Sequence, residues 1–135
     1  MFSHRTMNSW QGVHRYVNIY VRWKELGMSN FKTLSDAIQF SKEKMKKNGI
    51  FETDRFFCDL YCFEPGQEQQ PHTHGGQDKI YYVVEGTGMF KVGEEEKALG
   101  PGQIALAPAG QNHGVANRGQ QRLVTLVFVT PKPSH

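Results

Sequence analysis

From Arg55 onward, short apolar runs alternate with turn residues. The runs cover 56–63, 69–74, 79–85, 88–92, 96–99, 103–107, 113–116 and 121–130. Between them stand Pro65-Gly66, Gly75-Gly76, Gly86, Gly93, Gly100-Pro101-Gly102, Pro108 with Gly110, and Gly119. Short β-prone segments punctuated by glycine and proline at roughly 8–12-residue spacing predict an all-β barrel or sandwich. The run from Lys79 to Glu85 is continuously β-prone, as a strand buried on both sides would be. The Gly93-Glu94-Glu95-Glu96 stretch reads as a solvated hairpin turn. Between Phe31 and Phe51 the pattern is short and partly helical. Ser35 and Ser41 are candidate N-caps, and Asn48-Gly49 a helix stop. The basic run Lys42 to Lys47, interrupted by Glu43, is expected to form a solvated helix face. This short helical segment is expected to pack across the outside or the open end of the barrel. Residues 1–27 show no clear period and hold both tryptophans, Trp10 and Trp23.

Composition narrows the class. A chain of 135 residues supports one domain with a modest core. Hydrophobic residues make up 38% and charged residues 21%, ordinary for a soluble globular protein. No apolar run approaches the roughly 20 residues of a membrane span. Arg5, Arg15 and Arg22 come without an apolar stretch, so the N-terminus does not read as a secretory signal, and a cytoplasmic location is expected. The net charge of +3 resides in residues 1–27, where Arg5, Arg15, Arg22 and Lys24 face one acid, Glu25. The remainder is balanced and has no net attraction for nucleic acid. Neither a nucleic-acid nor a membrane partner is expected. Cys58 and Cys62 share one face of a strand but lie about 13 Å apart along it, beyond the roughly 7 Å limit for a disulfide. They are read as free core thiols.

Three histidines carry the candidate chemistry. His72 and His74 are two apart in a strand, so their imidazoles project from one face. That suits two adjacent ligands on one metal, although two ordinary surface or core histidines would look the same. His113 follows the turn at Pro108 and Gly110 and arrives from a different strand, as a third, rigidly held ligand must.

The two segments resemble the paired motifs of the cupin superfamily. Gly102, Pro108, Gly110, His113 and Asn117 match every fixed position of the second motif, G-x5-P-x-G-x2-H-x3-N. Gly66, His72, His74 and Gly86 match the first, G-x5-H-x-H-x(3,4)-E-x6-G. Its acidic position falls on Lys79 when counted back from Gly86, and on Asp78 when counted on from His74. The likeness covers about residues 29–131 and is nearest to small bacterial single-domain cupins. It implies a double-stranded β-helix, a jelly-roll-like barrel. It also implies a homodimer and a divalent first-row metal on His72, His74 and His113. Gln77 or Asp78 would be a possible additional oxygen ligand.

Without a carboxylate, an imidazole trio suits Zn, Fe, Ni or Cu better than Mn. Lys79 is open to three readings. It turns outward or pairs with Asp78 or Glu85; it stays neutral as a substrate-binding or catalytic lysine; or it marks a degenerate site that holds no metal. Tyr61, Phe63, Tyr81, Tyr82, Phe90 and Phe128 include barrel-lining aromatics, about half of which alternation must turn outward. With no basic cluster near the motifs to clamp a phosphate, the pocket favours an apolar or aromatic small molecule. Asn117 is expected to brace its turn.

Fold does not fix reaction. The leading reading is a metal-binding cupin acting on or binding a small molecule, of oxygenase or isomerase type if it is an enzyme. The alternatives are a non-catalytic binding or sensor module and a metal-free structural barrel. The domain is expected to run over 28–135, with 1–27 a leader not belonging to it. The likeness begins just after Met28, and Lys24-Glu25 can be encoded by a ribosome-binding sequence at a suitable distance from that methionine.

Overall fold

The computed structural model describes residues 29–73 and 75–132; His74 and residues 1–27, expected to be a leader, lie outside the described residues. The β unit begins at Thr33. Among the described residues, one 3-10 turn, Leu34–Ala37, precedes nine strands: β1 (Lys46–Glu52), β2 (Phe57–Phe63), β3 (Glu68–Thr73), β4 (Asp78–Glu85), β5 (Gly88–Val92), β6 (Glu95–Leu99), β7 (Ile104–Ala107), β8 (Asn112–Ala116) and β9 (Leu123–Thr130). They form two antiparallel sheets, ordered β1-β2-β9-β4-β7 and β3-β8-β5-β6. This is the expected double-stranded β-helix. A hairpin turn joins β5 to β6 as anticipated, but it is only Gly93-Glu94; Glu95 and Glu96 already pair with Val92 and Lys91 as strand residues. Among the described residues, no helix is long and apolar enough to cross a membrane.

Alternation sorts each strand into two faces. In β2, β4 and β9 the odd positions face the barrel interior. Tyr61, Phe63, Tyr81, Val83, Leu123 and Val127 meet Phe90, Leu99 and Val115 from the other sheet there. The even positions of β2 and β9 form a second cluster on the outside. Cys58, Leu60, Cys62 and Val124 join Ile50 beneath Leu34, Ala37, Ile38 and Phe40. The N-terminal segment thus covers half of the larger sheet. On the other half, Tyr82, Ile104, Leu106 and Phe128 are exposed.

Four expectations for residues 31–51 need correction. The helical character reduces to the one 3-10 turn, and Asn48-Gly49 lies inside β1 instead of ending a helix. Ser41 caps no helix; its hydroxyl accepts the Glu43 amide at 3.3 Å. The basic run is not a helix face either, because Lys46 and Lys47 are strand residues paired with Cys62 and Tyr61. Nor is β4 buried on both sides: Tyr82 on its outer face is 39% exposed. The cysteines behave as expected, free and buried on one face of β2.

Candidate functional site

The histidines are set by an irregularity in β3. The β3–β8 register slips between Gln69 and His72, so these two, three apart, both leave the exposed row of Gln70, Pro71 and Thr73. Such a bulge re-aims a side chain. It is tolerated because β3 is an edge strand, where Pro71 costs no ladder hydrogen bond. Gly114 makes room for it: a Cβ there would sit 2.9 Å from the Gln69 carbonyl oxygen and from the Pro71 nitrogen.

The slip brings His72 directly across from His113. The ring centroids are 4.5 Å apart with planes inclined at 57°. His113 is 1% exposed. Nδ1 of His72 meets the Gln70 carbonyl at 2.8 Å, and Nδ1 of His113 the Gln111 carbonyl at 3.0 Å. A carbonyl can only accept, so each Nδ1 carries the proton and, in the neutral ring, the lone pair sits on Nε2. Metal-binding histidines are oriented in this way, the second nitrogen fixed by a carbonyl or carboxylate. The donor chemistry of the pair therefore fits a metal ion. Among the described residues no three His, Cys, Asp or Glu side chains converge, and His74 is not among them.

Tyr81 connects this pair to a second polar group. Its ring lies 6.4 Å from that of His113, and its hydroxyl donates to Gln69 Oε1 at 3.0 Å. Lys79 Nζ sits 5.4 Å from the Tyr81 ring centre and 5.0 Å from that of Tyr61. Lys79 is only 4% exposed. Burial lowers its pKa to about 8; the nearby Lys47 adds to the effect and Asp59 opposes it. Burial likewise pushes Tyr61 and Tyr81 well above the usual phenol range, reinforced by Asp59 for the first and by Tyr61 for the second. Asp59 is also raised by burial, against the lowering influence of Lys47. Lys47, Glu52, Phe57, Asp59, Tyr61, Gln77, Lys79 and Val129 line a cleft of about 330 Å³.

The cupin domain family matches residues 59–129. The chain belongs to the cupin family. Over 81 residues, 60% of this chain, it is 33% identical to the 5-nitrosalicylic acid 1,2-dioxygenase of a Bradyrhizobium species. That match spans 38% of the dioxygenase. Over 85 residues, 63% of this cupin, it is 28% identical to the oxalate-binding protein of Thermotoga maritima and spans 69% of it. Among solved structures, TT1209 from Thermus thermophilus superposes with a TM-score of 0.76 at 43% identity, covering 78% of this chain and all of that one.

The expected residues fall as follows in the cupin. His72 and His113 meet. Gln77 lines the cleft with Lys79, whereas Asp78 Oδ1 accepts the Ala109 amide at 2.9 Å on the exposed side. Lys79 neither turns outward nor pairs with Asp78 or Glu85; alternation with Tyr81 and Val83 points it inward. Of the six aromatics, Tyr61, Phe63, Tyr81 and Phe90 are inside, and Tyr82 and Phe128 outside. Asn117 braces its turn, donating to the carbonyls of Phe63 and Gln121 and accepting from Gly119. Sequence reasoning missed Lys47 and Asp59. Asp59 carries a signal, since it shares its face of β2 with Tyr61 and Phe63. Lys47 carries none, because its position depends on the unrecognised β1.

Proposed function

We propose that this cupin binds a small molecule at a divalent first-row metal ion held by His72, His74 and His113. The observation that carries the reading is the cross-strand pair of His72 and His113, each with Nδ1 on a backbone carbonyl and its lone pair left to Nε2. His74 enters through its spacing in the sequence. Imidazole donors favour Zn, Fe, Ni or Cu, with Mn less suited. The three histidines would hold such an ion, and when bound it would supply Lewis-acid chemistry toward a substrate. The chain's own part is to fix the ring tautomers, to wall the interior with Tyr61, Tyr81 and Phe90, and to present Lys79 beside them.

The names of two relatives, one for binding oxalate and one for oxidising 5-nitrosalicylic acid, support a small carboxylic acid as the molecule bound. Oxygenase chemistry is the enzymatic form of the reading, and retention of the acid without turnover is its binding form. We also propose a homodimer through the uncovered half of the larger sheet.

The test is metal analysis of the full chain purified without a histidine tag. About one ion per chain is expected in the parent, and near background in His113→Ala. Equal metal content in the two proteins would refute the trio.

A further inference from the structure

The Lys79 cleft asks for a ligand of its own. Among the described residues, no hydrogen-bond acceptor or ion-pair partner reaches Lys79 Nζ. The side chain is nonetheless enclosed, being 4% exposed. Its Nζ lies over the rings of Tyr61 and Tyr81. Lys47, directly across the ladder from Tyr61, places a second amine 5.2 Å from the centre of the same ring. Two amines, the enclosed Lys79 and the exposed Lys47, thus lie against one aromatic ring at the wall of a cleft of about 330 Å³, where their like charges repel each other.

We infer that this cleft binds an aromatic or apolar monocarboxylate, its carboxylate accepting from Lys79 and Lys47 and its body lying against Phe57, Tyr61 and Val129. A carboxylate offers each amine an oxygen and removes the repulsion between them. The Gln77 amide, on the same lining, supplies a further donor. Charge sets the number of acidic groups. Asp59 and Glu52 also line the cleft, and Glu52 pairs with Lys132. Three lysines against two carboxylates leave one positive charge, which matches a monoanion and disfavours a phosphate or a dianion. Volume agrees, since about 300 Å³ is the lower range for a small-molecule pocket.

The carboxylate site does not need the metal. Both of its carboxylate contacts, as inferred, are to the lysines.

Benzoate and its neutral isostere benzamide are the probes, titrated calorimetrically into the full-length chain before and after treatment with a chelator. Benzoate is expected to bind at millimolar concentration or tighter, and benzamide about tenfold more weakly or worse. Lys79→Met should weaken benzoate by about tenfold and Lys47→Met by a smaller factor, with benzamide unaffected by either. Chelation should leave benzoate affinity unchanged. Equal affinities for the two probes, unaltered benzoate binding in Lys79→Met, or loss of binding on chelation would each overturn the inference. Should Lys79→Met not fold, the contrast between benzoate and benzamide, with the Lys47→Met variant, decides alone. Benzoate binding that persists in protein found to contain no metal supports this site while refuting the histidine reading.

Discussion

An amine enclosed between two tyrosine rings works against its own charge. Lys79 has its pKa lowered from 10.5 to about 8. Below pH 8 it is charged in both the folded and unfolded chain, so folding must carry the full penalty of enclosing it. Between pH 8 and 10.5 the unfolded chain binds the proton and the folded one releases it, so stability rises with pH across that window. The depression corresponds to about 3 kcal/mol. Lys79→Met is therefore expected to melt higher than the parent at pH 7, with the gap narrowing toward pH 10. Urea unfolding of both proteins across this range, compared pairwise, separates the effect from the tyrosines and thiols, which titrate in the same region with the opposite sign. A constant gap would show that Lys79 is not the cause. The His72–Nδ1 contact predicts a second outcome. His72→Ala should lose metal as His113→Ala does, whereas Asn117→Ala should lose stability and keep it, as metal content and melting temperature measured together will show. Both histidines were legible in the sequence, because motif spacing fixes which residue is which. The aim of Lys79 was not. In DKIYYVVE the odd and even positions are both apolar enough to face a core, and only the register against β7 and β9 decides between them.

The strands were legible to within two residues from Phe57 on, where turn glycines and prolines bound each apolar run. β1 was not. Lys-Lys-Asn-Gly has low β propensity, and among the described residues the strand pairs with β2 alone, so little in its composition marks it. The reason for particular glycines was also hidden until the fold was known. Gly86 has φ +80°, and a Cβ there would lie 2.1 Å from the Arg122 carbonyl oxygen at the entry to β9. Gly86→Ala should cost about 3 kcal/mol or more, read from the shift in the urea midpoint. The covered face of β2 gives a kinetic prediction. Burial raises the thiol pKa of Cys58 and Cys62, so in native protein neither should react readily with a thiol reagent. After unfolding without reductant, two thiols per chain should be found. Phe40→Ala loosens the segment lying over them and should speed native labelling of both; unchanged rates would separate the segment from their protection.

At the scale of the molecule, the larger sheet is asymmetric. One half of its outer face is covered by the N-terminal segment, and the other presents Ile104 and Leu106, 64% and 55% exposed, beside Tyr82 and Phe128. A patch of this kind on a small domain marks an interaction surface. Light scattering is expected to give a dimer mass at tens of micromolar, and a monomer mass for Leu106→Glu; a monomeric parent protein would rule the dimer out. The position of β9 has a different consequence, for the order in which the fold can be made. This ninth strand lies in the middle of its sheet, between β2 and β4. Tyr61 and Tyr81 find their partners, Thr125 and Val127, only when the chain reaches them. Until then, a growing chain carries two aromatic strands with open edges and no template to join them. Emergence of β9 from the ribosome, not of the first strands, is the step at which this barrel closes, and the interval before it is when the chain is most exposed to aggregation and to chaperones.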